Sequence, residues 1–373
     1  QEIAIDDNAM KIAIITSYWN PPNFKGGISR VVFELRKEWQ KMGHRVDIYA
    51  RITVPKEEEG IFRIPIPPVP LLGVWMNLYM MLFSSLDQYD VIFPQSAFNC
   101  LFLDKTRCIP FIHTLFEVEH FTRWRFWKYA ITPLEKYALK NIRGSIVLDD
   151  KTLKNLTREY HMLGAKILKV NNGVDYTLFS PSPQEGNESF VILSAGRFIP
   201  RKRFDLLIKS FASFVELHRD ATLVIAGDGP LKADLHELAH RLHVKDNVLF
   251  PGMVDESALL ELYRAASIFV LPSIAEGMPM VVLEAQACAL PVVLAGFETA
   301  RDLVIEGETG YIVRGTDPKT WAGVFTRFYE QPDLIRSMGK RARSRIESEF
   351  CWPMVAKKIY NHFQDILTKS SNT

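Results

Sequence analysis

Short apolar, β-branched runs alternate along the chain with longer segments of helical periodicity. In the first half these runs lie at 11–16, 46–50, 91–94, 110–113, 145–148 and 167–170. Between the first two, apolar side chains recur at helical spacing from Ile28 through Leu35 to Met42, and Gly43 ends the pattern. Such alternation predicts βαβ units and a parallel sheet with helices on both faces.

A second series of the same kind follows a segment rich in Asn, Ser, Pro and Gly. That segment, 171–187, is the best linker candidate in the chain. Beyond it, apolar runs at 190–195, 221–226, 248–250, 268–271, 291–294 and 311–313 alternate with helical patterns at 204–217, 231–242, 256–265, 280–289 and 319–330. The sequence therefore predicts an α/β fold of two tandem doubly wound, Rossmann-like domains, residues 10–175 and 176–351, facing across a ligand cleft.

Composition agrees with two globular domains and excludes several classes of protein. The 373 residues are 47% apolar and 24% charged, which excludes a disordered or fibrous chain. With 45 basic and 43 acidic side chains the formal net charge is +2, so no global field attracts a polyanion and we expect no nucleic-acid partner. Four cysteines without a CxxC pair indicate neither a zinc site nor a disulfide framework, which favours a cytoplasmic location.

Two further segments bear on the relation to membranes. Residues 1–9 lack the apolar region of a signal peptide, so Met10 is the expected natural start. Residues 64–86 carry no charge, but four prolines between 65 and 70 exclude a spanning helix. The remaining uncharged stretch from Leu71 to Leu86, with the aromatic and cationic cluster from Phe121 to Tyr129, suits peripheral contact with a membrane. The alternative is that these aromatic rings pack in the core.

Two glycine-containing loops are candidates for binding phosphate. Gly26 and Gly27 follow the first strand and precede a helix, where backbone N–H groups attract anions. The alternative is that the pair only forms the turn. The loop lacks the spacing of a dinucleotide-binding or P-loop motif. At the end of the second domain's first strand stand Arg197 and Lys202, two cations that could hold a diphosphate and stabilise it as a leaving group. The alternative is a solvated basic loop.

Acidic and imidazole groups complete the candidate chemistry. Glu276 precedes a predicted helix that contains Glu284, so the two carboxylates are expected roughly 10 Å apart. That separation is too large for a catalytic dyad but suits hydroxyl recognition at two points of a long ligand. A dipole-favoured acid and a surface charge are the alternative interpretations. His113 ends an apolar strand and either faces the cleft or is a hydrogen-bonded structural histidine.

In this order the motifs resemble those of the retaining glycosyltransferases of family four, the glycosyl transferases group 1, which have the GT-B architecture. The resemblance extends over nearly the whole chain from Met10. It rests on Gly26-Gly27, His113, Asn172-Gly173-Val174-Asp175, Gly196-Arg197 with Lys202, Gly227-Asp228-Gly229-Pro230, Phe250-Pro251-Gly252, and Glu276 with Glu284. Two departures are Arg203, where glycine is usual, and Ala295-Gly296-Phe297-Glu298, which replaces a usual Gly-Gly pair.

The resemblance implies a hexosyltransferase that moves a sugar from a nucleotide-diphosphate sugar to a hydroxyl of a glycan or lipid-linked acceptor. It implies a catalytic set of Glu276, His113, Arg197 and Lys202, in which Glu276 contacts the donor sugar and the two cations hold the diphosphate. Donor-binding residues would further include Gly26, Gly27, Gly277, Met278, Pro279, Met280 and Glu284, the last at the ribose. It also implies that a C-terminal helix within 352–373 returns to the first domain.

The mechanism and the cofactor requirement give two further expectations, and two alternative functions stay open. The sequence offers no nucleophile with an assigned base, which agrees with a front-face displacement that retains configuration. No DxD-like motif is present, so we expect neither a metal nor another cofactor. The alternatives are a nucleotide-sugar epimerase, whose product would be an isomerised donor, and a non-catalytic two-domain binder of sugars or nucleotides.

Overall fold

A computed structural model of the chain describes residues 9–19, 27–52, 59–65, 79, 86–113, 115, 128–162, 165–182 and 189–368. The chain divides into two compact units: unit 1 comprises Gln1–Asn172 and Trp352–Thr373, and unit 2 comprises Gly173–Cys351. The border after Asn172 lies slightly earlier than the one predicted from the sequence after residue 175.

Unit 1 is built on parallel strands. These are β1 (Lys11–Trp19), β2 (Arg45–Ile52), β3 (Ile61–Arg63), β4 (Val91–Pro94), β5 (Phe111–Ile112), β6 (Gly144–Val147) and β7 (Lys166–Lys169). They form a sheet of order β3-β2-β1-β4 and a sheet of order β5-β6-β7. An isolated parallel bridge pairs Ile92 of β4 with Cys108, three residues before β5. Every side chain of β4 and β6 is buried, as expected for strands covered on both faces.

The helices of unit 1 pack on these two sheets, and the last helix of the chain is one of them. They are α1 (Gly27–Lys41), α2 (Lys128–Leu139), α3 (Asp150–Arg158) and α11 (Trp352–Thr368). The indole N–H of Trp39 in α1 donates to the backbone oxygen of Ala356 in α11 at 3.0 Å, and Phe363 packs against both Trp39 and Phe93. The last helix of the chain thus completes the core of the first unit.

Unit 2 repeats the architecture with a six-stranded parallel sheet. Its strands are β8 (Val191–Ala195), β9 (Thr222–Ala226), β10 (Val248–Gly252), β11 (Ile268–Leu271), β12 (Val292–Ala295) and β13 (Gly310–Val313), in the order β10-β9-β8-β11-β12-β13. Its helices are α4 (Phe204–Val215), α5 (Lys232–Arg241), α6 (Glu256–Ala265), α7 (Met280–Ala287), α8 (Ala300–Leu303), α9 (Pro318–Glu330) and α10 (Pro332–Glu349). This strand order is that of a doubly wound domain.

The periodic patterns predict most of these elements, but they do not predict helices α2, α3 and α8, and the structure differs from them at three further points. The short strand β3 was not predicted; its side chains are only partly buried or exposed. Helix α10 was not predicted either; its buried face is limited to Met338, Gly339, Ala342 and Ile346. Ile28 was expected on the buried face of α1, but its side chain is 41% exposed.

The structure also bears on membranes and cysteines. Across the described ranges, every helix is too short or too polar to cross a membrane. All four cysteines are buried free thiols.

Candidate functional site

The site in unit 2 is defined by its strand order. Strands β8 and β11 are neighbours, yet the chain continues from β8 toward β9 and β10 on one side and from β11 toward β12 and β13 on the other. Such a switch point leaves a crevice at the carboxyl ends of the two strands, where ligands of open α/β sheets bind. The predicted phosphate-binding loop follows β8, and the Glu276 loop follows β11.

Lys202 and Glu276 meet at this switch point. The ammonium Nζ of Lys202 lies 2.7 Å from Oε1 of Glu276, and the two side chains are only 12% and 7% exposed. Hydrogen bonds to backbone oxygens hold these loops in place. The N–H of Ile274 donates to the oxygen of Arg201 at 2.9 Å, and the side-chain hydroxyl of Thr299, after β12, donates to the oxygen of Glu276 at 3.3 Å. A nearly buried ion pair is thus held at the edge of a ligand crevice.

Glycines bring the backbone close around this pair. A Cβ at Gly196 would lie 3.3 Å from Cε of Lys202, so a larger residue would crowd the lysine. A Cβ at Gly227, whose φ is +138°, would lie 2.0 Å from the backbone oxygen of Gly196. The loops after β8 and β9 therefore approach backbone to backbone, and Arg197 on the first of them is exposed to solvent.

Arg203 explains one departure from the family pattern. Its φ is +53°, in the left-handed region that favours glycine, at the junction between the 3-10 turn Pro200–Lys202 and α4. An ion pair of 3.0 Å between its guanidinium and Asp205 helps to hold this conformation, and it also lowers the pKa of Asp205 against the opposing effect of burial. The turn that places Lys202 is therefore kept without the usual glycine.

The loop after β11 leads directly into α7. Met278 is buried, Pro279 precedes the helix, and Met280 is its first residue. Gly277 has open space around its Cα, since a Cβ there would meet nothing within 4 Å. The first N–H groups of a helix lack intrahelical partners, so this end of α7 offers donors to an anion.

About one turn into α7, Glu284 is a half-buried hydrogen-bond acceptor. The hydroxyl of Tyr263 in α6 lies 3.0 Å from Oε2 of Glu284 and 3.2 Å from the backbone oxygen of Val281; because a carboxylate is the stronger acceptor, its one proton is donated to Glu284. Burial, and then the neighbouring carboxylate, raise the pKa of Tyr263 well above its ordinary value, so the phenol stays protonated and keeps donating. Glu284 is thus held in a fixed orientation and is not a mobile surface charge.

In unit 1, His113 follows β5 and is 8% exposed. Its ring stacks on Phe111 with centroids 4.2 Å apart, and its Nε2 lies 3.0 Å from Oε1 of Gln95. The amide of Gln95 donates to the oxygen of Phe93 at 3.3 Å, so its Oε1 faces the histidine and the proton belongs on Nε2. Burial lowers the pKa of His113 to about 3, so the ring is neutral and its Nδ1 is an acceptor.

Some predicted site residues cannot be placed in this way. Gly26 lies outside the described residues, and so do the stretch 71–86, except residues 79 and 86, and residues 121–127 of the aromatic cluster. Gly27 is the first described residue of α1, and a Cβ there would meet nothing within 4 Å. The residues that the structure describes contain no group of three or more His, Cys, Asp or Glu side chains arranged to hold a metal ion.

Two positioning residues escape prediction from the sequence. Gln95 fixes the proton of His113, and Tyr263 fixes Glu284, but neither lies near its partner in the chain. Gln95 follows a buried strand of a doubly wound sheet, a position that marks candidates in general without singling this one out. Tyr263 matches the apolar face of α6, so its pattern indicates only a core residue.

Models of glycosyltransferase families match both halves of the chain. One family model, described as Glycosyltransferase Family 4, matches residues 25–178, and a second, Glycosyl transferases group 1, matches residues 175–345. A D-inositol 3-phosphate glycosyltransferase of Kribbella flavida is 27% identical over 95% of both chains. A GDP-mannose-dependent monoacylated alpha-(1-6)-phosphatidylinositol monomannoside mannosyltransferase of Corynebacterium glutamicum is 29% identical over 52% of this chain and 55% of its own length.

Among solved structures, sucrose-phosphate synthase from Thermosynechococcus elongatus has a TM-score of 0.82 and 21% identity, with 96% of this chain and all of that chain covered. A likeness at that identity shows the fold, two Rossmann-like domains of the GT-B type. The fold and the comparisons together define a glycosyltransferase that uses a nucleotide sugar. The chain belongs to glycosyltransferase family 4, the glycosyl transferases group 1. This confirms the predicted family, fold class and reaction, and it does not favour an epimerase or a non-catalytic binder.

Proposed function

We propose that the cluster around Lys202 and Glu276 in unit 2 binds and activates the nucleotide-diphosphate sugar. The observation that carries this proposal is the 2.7 Å contact between the two side chains at the switch point. Removing two charges from water is costly, and an ion pair in such a place adds little to stability. A function in binding ligand accounts for it better than a structural one.

In this proposal the residues divide the donor between them. Lys202 and Arg197 hold the diphosphate, together with backbone N–H groups at Gly26 and Gly27 and at the start of α7, from Gly277 to Met280. Glu276 accepts hydroxyls of the sugar, and Glu284, oriented by Tyr263, accepts hydroxyls of the ribose. Without donor, Lys202 neutralises Glu276; a bound diphosphate would compete for the ammonium and free the carboxylate for the sugar.

We propose transfer with retention of configuration and without a metal. The bond between the anomeric carbon and the diphosphate oxygen breaks, and the bond to the acceptor oxygen forms on the same face. The acceptor proton moves to the departing phosphate. Lys202 and Arg197 stabilise the negative charge of that phosphate in place of a metal ion. His113, neutral and held by Gln95, serves as a hydrogen-bonding wall of the sugar pocket and not as an acid.

A panel of nucleotide sugars tests the donor assignment. Each is scored for nucleotide release and for thermal stabilisation of the full chain, since a ligand at 100 times its Kd stabilises by about 2.7 kcal/mol. We expect at least one donor to give both signals, Lys202→Met to lose both, and Lys209→Met, which changes an exposed lysine on α4, to keep both. Normal activity of Lys202→Met would refute the assignment.

For the acceptor we propose a hydroxyl on a glycan or on a lipid-linked carrier, reached by a cytoplasmic enzyme bound peripherally to a membrane. The relatives named above act, by their names, on D-inositol 3-phosphate and on a phosphatidylinositol monomannoside. In this chain the support is the uncharged stretch 71–86 together with the aromatic and cationic cluster 121–129 of the sequence. Such a pair of segments suits anionic head groups and the interface above them.

Co-sedimentation with vesicles tests the membrane contact. We expect binding to anionic but not to neutral vesicles, weakened by salt and by changing Arg123, Arg125 and Lys128 to Glu. A matched control changes Lys209, Lys232 and Lys319 of unit 2 to Glu and should bind as the wild type does. Equal absence of binding to both kinds of vesicle would leave a soluble acceptor as the better interpretation.

A further inference from the structure

Unit 2 contains a cavity that none of the roles above uses. It lies beside the group formed by Lys202 and Glu276, which we call the donor cluster. It lies at the carboxyl ends of β12 and β13 and has a volume of about 290 Å³. Its lining includes Gly296, Phe297, Glu298, Arg301, Ile312 and Arg314. We call it the β12–β13 cavity.

The parallel register of the two strands creates this cavity. Ala295 pairs with Val313, so Gly296 and Arg314 are the next residues of neighbouring strands at the same edge. Because Gly296 has no side chain, the space beside Arg314 stays open: a Cβ there would lie 3.7 Å from Cγ of Arg314 and 3.8 Å from Cγ2 of Ile312. Phe297 is buried against this space.

Charged side chains line the cavity and determine which ligands it can bind. Arg301, Arg314 and Glu298 are all exposed at the cavity, and within the described part of the chain none of them forms an ion pair or a hydrogen bond. Other arginines of unit 2 are engaged with the backbone, such as Arg343, which donates to the oxygen of Ala287 at 2.6 Å. Two available guanidinium groups match the oxygens of a phosphate, and a carboxylate beside them suits a hydroxyl donor.

The cavity is separate from the donor cluster but in contact with it. Thr299, between Glu298 and α8, donates its hydroxyl to the backbone oxygen of Glu276. The cavity volume is near the lower limit of small-molecule sites, which is enough for one sugar-sized ring and too small for a whole nucleotide sugar. A ligand there would sit next to the loop that carries Glu276.

From these observations we infer that the β12–β13 cavity binds the phosphate monoester of a sugar-sized polyol through Arg301 and Arg314, with Glu298 accepting a hydroxyl. This site does not depend on the donor assignment. The phosphorylated polyol is either an acceptor substrate or an effector that is not consumed, and the recognition chemistry is the same for both.

Binding by the full chain tests the inference. Glucose 6-phosphate and inorganic phosphate serve as probes, with glucose as the neutral counterpart, in calorimetry and thermal-shift titrations. We expect glucose 6-phosphate to bind at least tenfold more tightly than glucose. The double variant Arg301→Gln, Arg314→Gln should lose at least tenfold in affinity for it. The control double variant Arg241→Gln, Arg336→Gln removes the same charge from exposed helical positions and should bind normally.

Donor kinetics separate this inference from the proposed function. If the inference is right, the Arg301 and Arg314 variant keeps the wild-type KM for the nucleotide sugar in donor hydrolysis. A product heavier by one hexose identifies the bound phosphate as an acceptor; an altered rate without its consumption identifies an effector. Failure of glucose 6-phosphate to bind would overturn the inference. So would unchanged binding by the double variant, or a rise in donor KM without loss of sugar phosphate, which would assign the cavity to the donor.

Discussion

His113 provides a quantitative test of the site in unit 1, because the structure holds its imidazole in the neutral form. The ring is 8% exposed and stacked on Phe111, and burial lowers its pKa to about 3. An unfolded histidine has a pKa of about 6.5. Between these values the unfolded chain binds a proton at this position and the folded chain does not, so lowering the pH favours unfolding.

The sign and size of the effect follow from these two values. The stability that the neutral ring contributes is complete above about pH 6.5 and is lost as the pH falls from there toward 3. At pH 5 the unfolded imidazole is almost fully protonated, whereas the folded one is almost wholly neutral. The expected loss between pH 8 and pH 5 is about 2 kcal/mol from this residue alone.

Urea unfolding of the full chain at pH 8 and pH 5, followed by tryptophan fluorescence, measures this loss. Other groups titrate in the same range, so the quantity of interest is the difference between wild type and His113→Gln, which cannot titrate. We expect unit 1 of the variant to lose about 2 kcal/mol less than the wild type on acidification. His113→Asn should give the same pH dependence as His113→Gln, whatever each variant costs in stability at pH 8.

Nuclear magnetic resonance of the imidazoles gives a direct second readout. The His113 signal, identified by its absence in His113→Gln, should not titrate between pH 8 and pH 5. A midpoint near 6.5, or identical pH dependence of wild type and both variants, would refute the neutral-ring reasoning. If the reasoning holds, the pH profile of kcat/KM contains no step from His113 in this range.

Three further predictions concern unit 2. Glu276→Gln should lower kcat/KM for sugar transfer by at least tenfold, or about 1.4 kcal/mol, whereas Glu308→Gln at an exposed position should leave kcat/KM unchanged. Transfer should survive excess chelator, because Lys202 supplies the positive charge; a strict requirement for magnesium or manganese would contradict this. Gly227→Ala should destabilise unit 2 in urea unfolding by more than Gly307→Ala. Both glycines have positive φ, but a Cβ at Gly227 lies 2.0 Å from a backbone oxygen, while one at Gly307 meets nothing within 4 Å.

The elements that the sequence predicts well are those whose pattern is local. Buried parallel strands such as β4 and β11 are continuous apolar runs, and all their side chains are buried. The face of α1 is correct at Val31 and Leu35, which are fully buried or nearly so. It fails at Ile28 in the first turn, since periodicity places a residue on a face but does not say how far the neighbouring sheet extends.

Features that the sequence pattern does not predict owe their positions to tertiary contacts. Helix α10 is mostly charged and polar, and it packs through Gly339, where a Cβ would lie 1.9 Å from the backbone oxygen of Ala289. A close approach through glycine leaves no hydrophobic signal in the sequence. Likewise, the contact between Lys202 and Glu276 joins residues far apart in the chain. The order of the strands in the sheet brings these two residues together, and that order cannot be read from the spacing of residues along the sequence.

The two units share one strand order around their first strand, and the described side chains that follow strands of the two units differ in charge. The unit 1 counterpart of the loop after β8 is 20–26, which lies outside the described residues. In unit 1 the side chains after β4 and β5 are Gln95 and His113, a neutral hydrogen-bonded pair. In unit 2 the loops after β8 and β11 carry Arg197, Lys202 and Glu276. A diphosphate needs positive charge where it binds and where it leaves, whereas a hydroxyl acceptor needs only hydrogen-bonding groups. The charge of the loops after β8 and β11 therefore supports the proposal that unit 2 holds the diphosphate of the donor.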